Sequence, residues 1–470
     1  MTSLAAAEIE EKSQNTLPRS MGLALATSVV ISNIIGVGIF TTSGLLARNL
    51  SDPVLMLGSW IFGGILALLG ALCYAELGAQ FPRSGGEYAF LREAYGPLPS
   101  FLSGWSSLFA GFSAPIAAAA VGFTEYLSFY FPSLRTQESV GLQGHFLPGQ
   151  WMAALIIALF SALHYRKIKV GGSVHVGLTL LKVSIIAMFI LCGFIFGSGS
   201  IGRFAPAMPA GNWIHMTPAL ASSLIFVMFS YSGWNAAGYV AGEIRNPGKN
   251  LPRSLTYGTL IVILLYLAIN ALYIYAIPMS EMSHGQGNSD AVIRVAEIAS
   301  QKLFGLNASQ FLNLIFMGTI LGSISAMIIA GPRVYYAMAH DGVFPKALSK
   351  VHVHFRTPGN AIILQAIWSI ILVFTGRFEQ LVAFSGVVMV FFSALTVAAV
   401  YVIRRRNGGI RPAYSAWGYP LTPLIFLVAS TWILIATFRS MPWESLAGFG
   451  VVASGIPFFF WWKKKHKKLS

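Results

Sequence analysis

Two short runs hold the residues whose types and spacing are most reactive toward a ligand. SNIIGVGIF, Ser32 to Phe40, sets Gly36 and Gly38 on either side of Val37, and FSYSGWN, Phe229 to Asn235, gathers Ser230, Ser232 and Asn235 around Gly233. Each run interrupts a stretch apolar enough to be a buried helix. Glycine costs a helix roughly 1 kcal/mol relative to alanine, so both runs are weak points. At a helix break the second half presents unpaired N–H groups and a positive dipole end, and the first half presents unpaired carbonyls and a negative end. A zwitterion fits that pair. An α-carboxylate accepts from the N–H groups of Val37, Gly38 and Ile39, as anions do at helix starts, and an α-ammonium donates to carbonyls near Ile34, Phe229 and Ser232. The expected substrate-binding set is Ile34, Gly36, Val37, Gly38, Phe229, Ser230, Ser232, Gly233 and Asn235.

A third feature is Lys182, a basic residue inside the otherwise apolar LTLLKVSIIAMFILCG, Leu178 to Gly193. An uncompensated lysine at the centre of a membrane helix opposes insertion by about 2.5 to 3.5 kcal/mol. It must pair, or its long stem must carry the amine to the interface, which lies about 10 Å away along a helix starting near His175. Other chemistry finds no support. Cys73 and Cys192 fall inside apolar stretches and read as packing residues. His164, His175 and His215 are isolated, and His352 and His354 sit in a basic loop, so neither metal-ligand spacing nor a nucleophile with its base is present. No enzyme, metal or cofactor is expected.

Both runs and the lysine are carried by membrane helices. With 470 residues, 55% hydrophobic and 10% charged, the chain lacks the polar surface to cover a soluble core of its size. A hydrocarbon core of ~30 Å asks for about 20 apolar residues per helix. Twelve spans satisfy this, near 21–46, 53–78, 100–128, 149–165, 175–197, 215–241, 254–278, 308–338, 360–375, 380–403, 416–438 and 443–462. The interrupted spans are the first and sixth, about 195 residues apart and matched in two halves of five, the sequence pointer to an inverted repeat with a site at the membrane midplane. The connections 128–149 and 279–307 read as surface loops. The chain divides into a tail over 1–20, a transport core over 21–403, two further helices with their preceding loop over 404–462, and a basic tail over 463–470.

The excess of 31 Lys+Arg over 16 Asp+Glu reads as the positive-inside bias of a membrane protein and not as nucleic-acid binding. Most of the basic residues, including Arg404, Arg405, Arg406 and the terminal lysines, fall on the side of the amino terminus and the loops after even-numbered spans. Both termini are therefore expected in the cytoplasm, with the plasma membrane as the location. The first twenty residues lack the pattern of a cleaved signal, so the first span is expected to be retained.

Four segments resemble one known group. IIGVGIF is similar to the unwound first helix of the amino acid-polyamine-organocation (APC) superfamily, and CYAELGAQFPRSGGEYAFLREAYGP, Cys73 to Pro97, resembles its loop after helix two. FSYSGWNAAGYVAGEIRNPGKNLPRSL, Phe229 to Leu255, is similar to the sixth helix and following loop of L-type amino-acid transporters and their bacterial relatives. GPRVYYAMAHDGVFP, Gly331 to Pro345, looks like the end of their eighth helix. The resemblance implies an all-α integral membrane fold of twelve spans: a five-plus-five inverted repeat with helices one and six broken, plus two C-terminal helices. The site would lie between spans one and six, against three and eight.

The resemblance also implies roles. Phe229 would close over the substrate as a gate, and Asn235 would lie where side-chain selectivity is set. Lys182 matches a lysine on helix five that replaces the cation of sodium-coupled relatives, bridging carbonyls of the first break to hydroxyls of span eight, with Ser323 ahead of Ser325. This implies a sodium-independent exchanger or facilitator. If the buried lysine gave up its proton, the same position would carry one, making the protein a proton-coupled symporter. Val37 departs from the serine common in relatives; it keeps the backbone N–H, and its β-branch is expected to narrow the site. No Asp or Glu lies near the middle of spans one, three, six or eight, which favours neutral amino acids over cationic ones or amines. Animal L-type transporters join a heavy chain through a cysteine between helices three and four; residues 128–149 have none, so no disulfide-linked partner is expected. A sensor that binds an amino acid without moving it remains a reading of a different class, and a channel would want a repeated filter loop that is missing.

Overall fold

A computed structural model of the chain describes residues 19–83, 85–134, 147–166, 172–207, 217–284, 294–352, 355, 357–408 and 412–467. Lys12, Arg135, Lys167, Lys169, His215, His354, Arg356, Arg411 and Lys468, with most of 128–149, lie outside the described residues. Among those described the structure is helical, its one β feature being a parallel bridge between Met21 and Ile244. Nine helical stretches there are long and apolar enough to cross a membrane, and two shorter apolar helices accompany them.

The first span is two helices, α1 (Leu23–Ile34) and α2 (Gly38–Leu50), separated at residues 35–37. Helix α3 (Pro53–Gln80) starts sharply because Asp52 accepts from the N–H groups of Val54 and Leu55 while Pro53 fills the first turn, where no donor is needed. Helix α4 (Glu87–Tyr95) lies in the connection read as a loop, and α5 (Pro97–Ser106) and α6 (Ser113–Leu127) form span three. Between them Ser107–Phe112 is π-helical, a feature without a periodicity signal in the sequence. Helices α7 (Pro148–Tyr165) and α8 (Gly172–Phe196) follow.

Span six is again split, into α9 (Thr217–Tyr231) and the single turn α10 (Ala236–Tyr239). Helix α11 (Pro247–Ala276) leads to α12 (Met279–His284) and α13 (Val295–Phe304), within the stretch 279–307 read as surface loop. The correction has a clear cause. Val295, Ala296, Ile298, Ala299 and Leu303 bury one face of α13, and Arg294 pairs with Glu297 at 2.9 Å at its start. The remainder is α14 (Leu306–His340), α15 (Gly359–Thr375), α16 (Phe378–Arg406), α17 (Leu421–Ser440) and α18 (Pro442–Lys467).

Burial sorts these helices. The most apolar window of the stretch Pro97–Leu127 is 83% buried and that of Pro442–Lys464 only 22%, so span three belongs to the interior and the last helix to the rim. The halves of the broken spans pack on one another, α2 on α9, while α1 contacts α8, α11 and α14. The bridge at Met21 joins them at the other end: Met21 N–H donates to the Glu243 carbonyl and Arg245 N–H to the Met21 carbonyl, both at 2.9 Å.

Candidate functional site

The first break leaves backbone groups that the rest of the bundle meets one by one. The Ile34 carbonyl accepts from the Tyr266 hydroxyl at 2.8 Å, and the Ile35 carbonyl accepts from Lys182 Nζ at 3.0 Å. On the far side, none of the described hydrogen bonds is donated by the N–H groups of Val37, Gly38 or Ile39. These N–H groups lie at a helix start, where unpaired donors suit an anion. The glycines are fixed by contact as well as by the break. A Cβ on Gly36 would stand 2.6 Å from Ser323 Oγ, and one on Gly38 would stand 2.6 Å from Ser230 Oγ. Ser230 itself faces α2, bonded to Thr42 Oγ1 at 2.7 Å, and does not line the cavity described next.

Val37, expected to narrow the site, does not line the cavity described next. Its side chain fills a notch in span three, where a Cβ on Gly122 would come within 2.4 Å of Val37 Cγ2. One γ-carbon of the β-branch is thus taken up by span three.

The second break sits on the cavity. Residues 232–235 are non-helical, and Gly233 has φ +99°, with an added Cβ only 2.8 Å from the Asn33 carbonyl. Phe229, Ser232, Gly233 and Asn235 line the cavity with Asn33 of α1, and Ser107, Gly111 and Phe112 of the π-helical stretch and Pro115 of α6 line it from span three. Span eight contributes Met327, and α16 contributes Val388, Met389, Phe392 and Ser393. The wall is mostly apolar and aromatic with a few convergent polar groups, the usual make-up of a small-molecule site. Ile34, Gly36, Val37 and Gly38 are not among the residues that line it.

Lys182 turns inward instead of reaching for the interface. It is buried, its amine lies on the break through Ile35, and a Cβ on Gly322 of span eight would stand 3.5 Å from Nζ. Lys182 and span eight therefore meet at the first break, with Ser323 against Gly36 one residue on. Ser325 is engaged elsewhere, 2.8 Å from His164 Nε2. No group of metal-ligating residues occurs among the described residues.

One lining residue escaped the sequence reading. Glu87 at the start of α4 is buried against the cavity, where Oε1 accepts from Tyr74 Oη at 2.5 Å, Asn235 Nδ2 at 3.1 Å and Ser393 Oγ at 3.3 Å. Burial raises its carboxyl from the ordinary value, and the bonds from Tyr74, Ser393 and Asn235 oppose that rise. The Gly85-Gly86 pair preceding it is a turn signal in the sequence, and both glycines take positive φ, but the pair does not say where the turn delivers Glu87. The absence of acids from the middle of the named spans holds, but a carboxylate reaches the cavity from a connection.

Comparison with known proteins now bears on this site. The family described as amino acid permease matches residues 21–459, from the bridge at Met21 almost to the end of α18. The chain belongs to the amino acid permease family. This permease is 30% identical over 454 residues to the serine/threonine exchanger SteT of Bacillus subtilis (strain 168), covering 96% of this chain and 98% of that protein. It is 28% identical over 471 residues to the b(0,+)-type amino acid transporter 1 of Mus musculus, covering 98% and 92%. It is 28% identical over 462 residues to the large neutral amino acids transporter small subunit 2 of Homo sapiens, covering 97% and 83%. The permease is thus a multi-pass membrane amino-acid transporter of the kind these relatives represent, and not an enzyme.

Proposed function

We propose that this permease is a sodium-independent exchanger of neutral L-amino acids that works by alternating access at the two helix breaks. The observation that carries the reading is the ammonium of Lys182 on the Ile35 carbonyl, facing span eight. A fixed positive charge at that point satisfies the break and leaves no role for a sodium ion there. The carboxylate of the substrate takes the N–H groups of Val37, Gly38 and Ile39, its ammonium takes carbonyls of the breaks, and Phe229 closes over it as the gate. Ser232, Gly233 and Asn235 meet the side chain.

Twelve spans in a five-plus-five inverted repeat with two added helices accommodate both breaks, and the packing of α2 on α9 supports that arrangement. The charge asymmetry of the sequence supports cytoplasmic termini in a plasma membrane. The cysteine-free stretch 128–149 supports a chain that works without a disulfide-linked heavy partner. The relatives' names, a serine/threonine exchanger and a large neutral amino-acid transporter subunit, support neutral cargo. Counterflow into proteoliposomes loaded with unlabelled amino acid tests the reading. Exchange that persists when choline replaces sodium and in the absence of a pH gradient is expected. A requirement for sodium would refute the role of Lys182, dependence on a proton gradient would make the protein a symporter, and binding without flux would make it a sensor.

A further inference from the structure

Glu87 is an odd residue to find at the wall of a mostly apolar cavity. Two glycines put it there. Gly85 (φ +121°) and Gly86 (φ +55°) turn the chain, Gly85 N–H donates to the Tyr239 carbonyl at 3.2 Å, and a Cβ on Gly86 would stand 2.4 Å from the Tyr239 ring. The turn presses the first residue of α4 beneath the second break. Glu87 is 7% exposed and joins none of the described ion pairs, although Glu76, Glu93, Glu243, Glu281, Glu297, Glu379 and Asp341 all do.

A purely structural role would be to tie Tyr74, Asn235 and Ser393 together. A neutral acceptor would do that without the desolvation that a carboxyl group suffers here. The distribution of bonds points further. All three fall on Oε1; Oε2 takes none of the described bonds and is not among the sealed side-chain atoms left without a partner. Unbonded and unsealed on a residue that lines the cavity, it is the oxygen left for a ligand there. Asn235 repeats the pattern. Its Nδ2 donates to Glu87 Oε1 and, at 3.4 Å, to Tyr239 Oη, which leaves Oδ1 as its free polar atom. A carboxylate oxygen accepts and does not donate, so it fixes the amide this way round. The corner therefore offers two acceptor oxygens.

We propose that Glu87 Oε2 and Asn235 Oδ1 form the side-chain end of the site and select amino acids whose side chains bring a hydrogen-bond donor, a hydroxyl or a cationic group, over apolar ones of the same size. The proposal rests on the amino-acid reading above: a hydroxyl donor stays within its neutral class, and a cationic one would widen that class. Threonine and valine are matched in shape and differ in the donor, and lysine and norleucine are nearly so.

Competition against labelled alanine counterflow, with the full chain in proteoliposomes, reads the preference directly. Threonine over valine by at least about tenfold assigns the subsite to hydroxyls, and lysine over norleucine by the same margin assigns it to cations. Equal competition within both pairs overturns the proposal, and this needs only the unaltered protein. In Glu87→Gln, whose amide offers the cavity a donor or a weaker acceptor, the preferred pair's ratio should fall at least tenfold; an unchanged ratio in folded variant overturns the assignment to Glu87. If no amino acid exchanges at all, the amino-acid reading falls and the subsite with it. If amino acids exchange without preference for donors, the subsite alone falls.

Discussion

Replacing Lys182 with methionine keeps the length of the stem and removes the charge. The substitution deletes one hydrogen bond, from an ammonium to the Ile35 carbonyl at 3.0 Å, and bonds of this kind to a charged partner contribute about 1.5 to 3 kcal/mol. If that bond holds the first break in the shape that turns over, the exchange rate should drop by about 12- to 140-fold, at about 1.4 kcal/mol per factor of ten. Stability should fall by less. The variant orphans one carbonyl, but it also spares the protein the desolvation of a buried ammonium, and the two changes oppose each other. Counterflow in proteoliposomes measures the first quantity and thermal unfolding in detergent the second, with Lys182→Arg as a control that keeps charge but not size. Exchange by Lys182→Met within about threefold of the unaltered protein would rule out this role for the lysine, because the bond would then be shown to do nothing for transport.

Gly122→Ala should destabilise the protein by about 1 to 3 kcal/mol through overpacking, since its Cβ would lie 2.4 Å from Val37 Cγ2; adding Val37→Ala should restore the melting temperature. Arg404 holds Glu76 through two bonds of 2.7 and 2.6 Å, and Glu76 also accepts from the Ala416 N–H at 2.6 Å. Arg404→Ala should therefore cost about 3 to 5 kcal/mol by stranding a buried charge, and Arg404→Lys should recover little of it because it cannot bond in parallel, both read by thermal unfolding. The Glu87 carboxyl is raised by burial, with the Tyr74 and Tyr239 phenols as the titratable groups nearest it. Its acceptor character is present above that raised value and lost as pH falls through it, so any preference for donor-bearing substrates should fade on acidification, and earlier than for a solvated carboxylate, as competition assays across pH will report.

The broken spans were legible because glycines and clustered polar side chains are conspicuous in a helix that has to satisfy its own backbone in lipid. Lys182 was legible for the same reason: a charge inside an apolar run calls for a partner. What the sequence could not convey was which side of a residue faces what. Nothing in the residues around Val37 announces that Gly122 receives its Cγ2. Glu87 sits among Arg83, Arg92 and Glu93 in a charged connection, and a carboxylate there reads as solvated. Its burial depends on two glycine turns and on Tyr239, a neighbour separated by about 150 residues that no local pattern encodes. The π-helical turn in span three is similarly silent, since it keeps the composition of a helix and changes only its register.

The bridge between Met21 and Ile244 has a mechanical consequence. Its two hydrogen bonds couple the start of α1 to the segment that ends span six, and the packing of α2 on α9 couples the other halves. The broken spans are thus fastened at both ends of the bundle. A tilt that carries one carries the other, and any motion that parts them at Met21 must first break both bonds; spin labels on either side of that seam would keep a constant separation through the transport cycle while labels across the cavity would not.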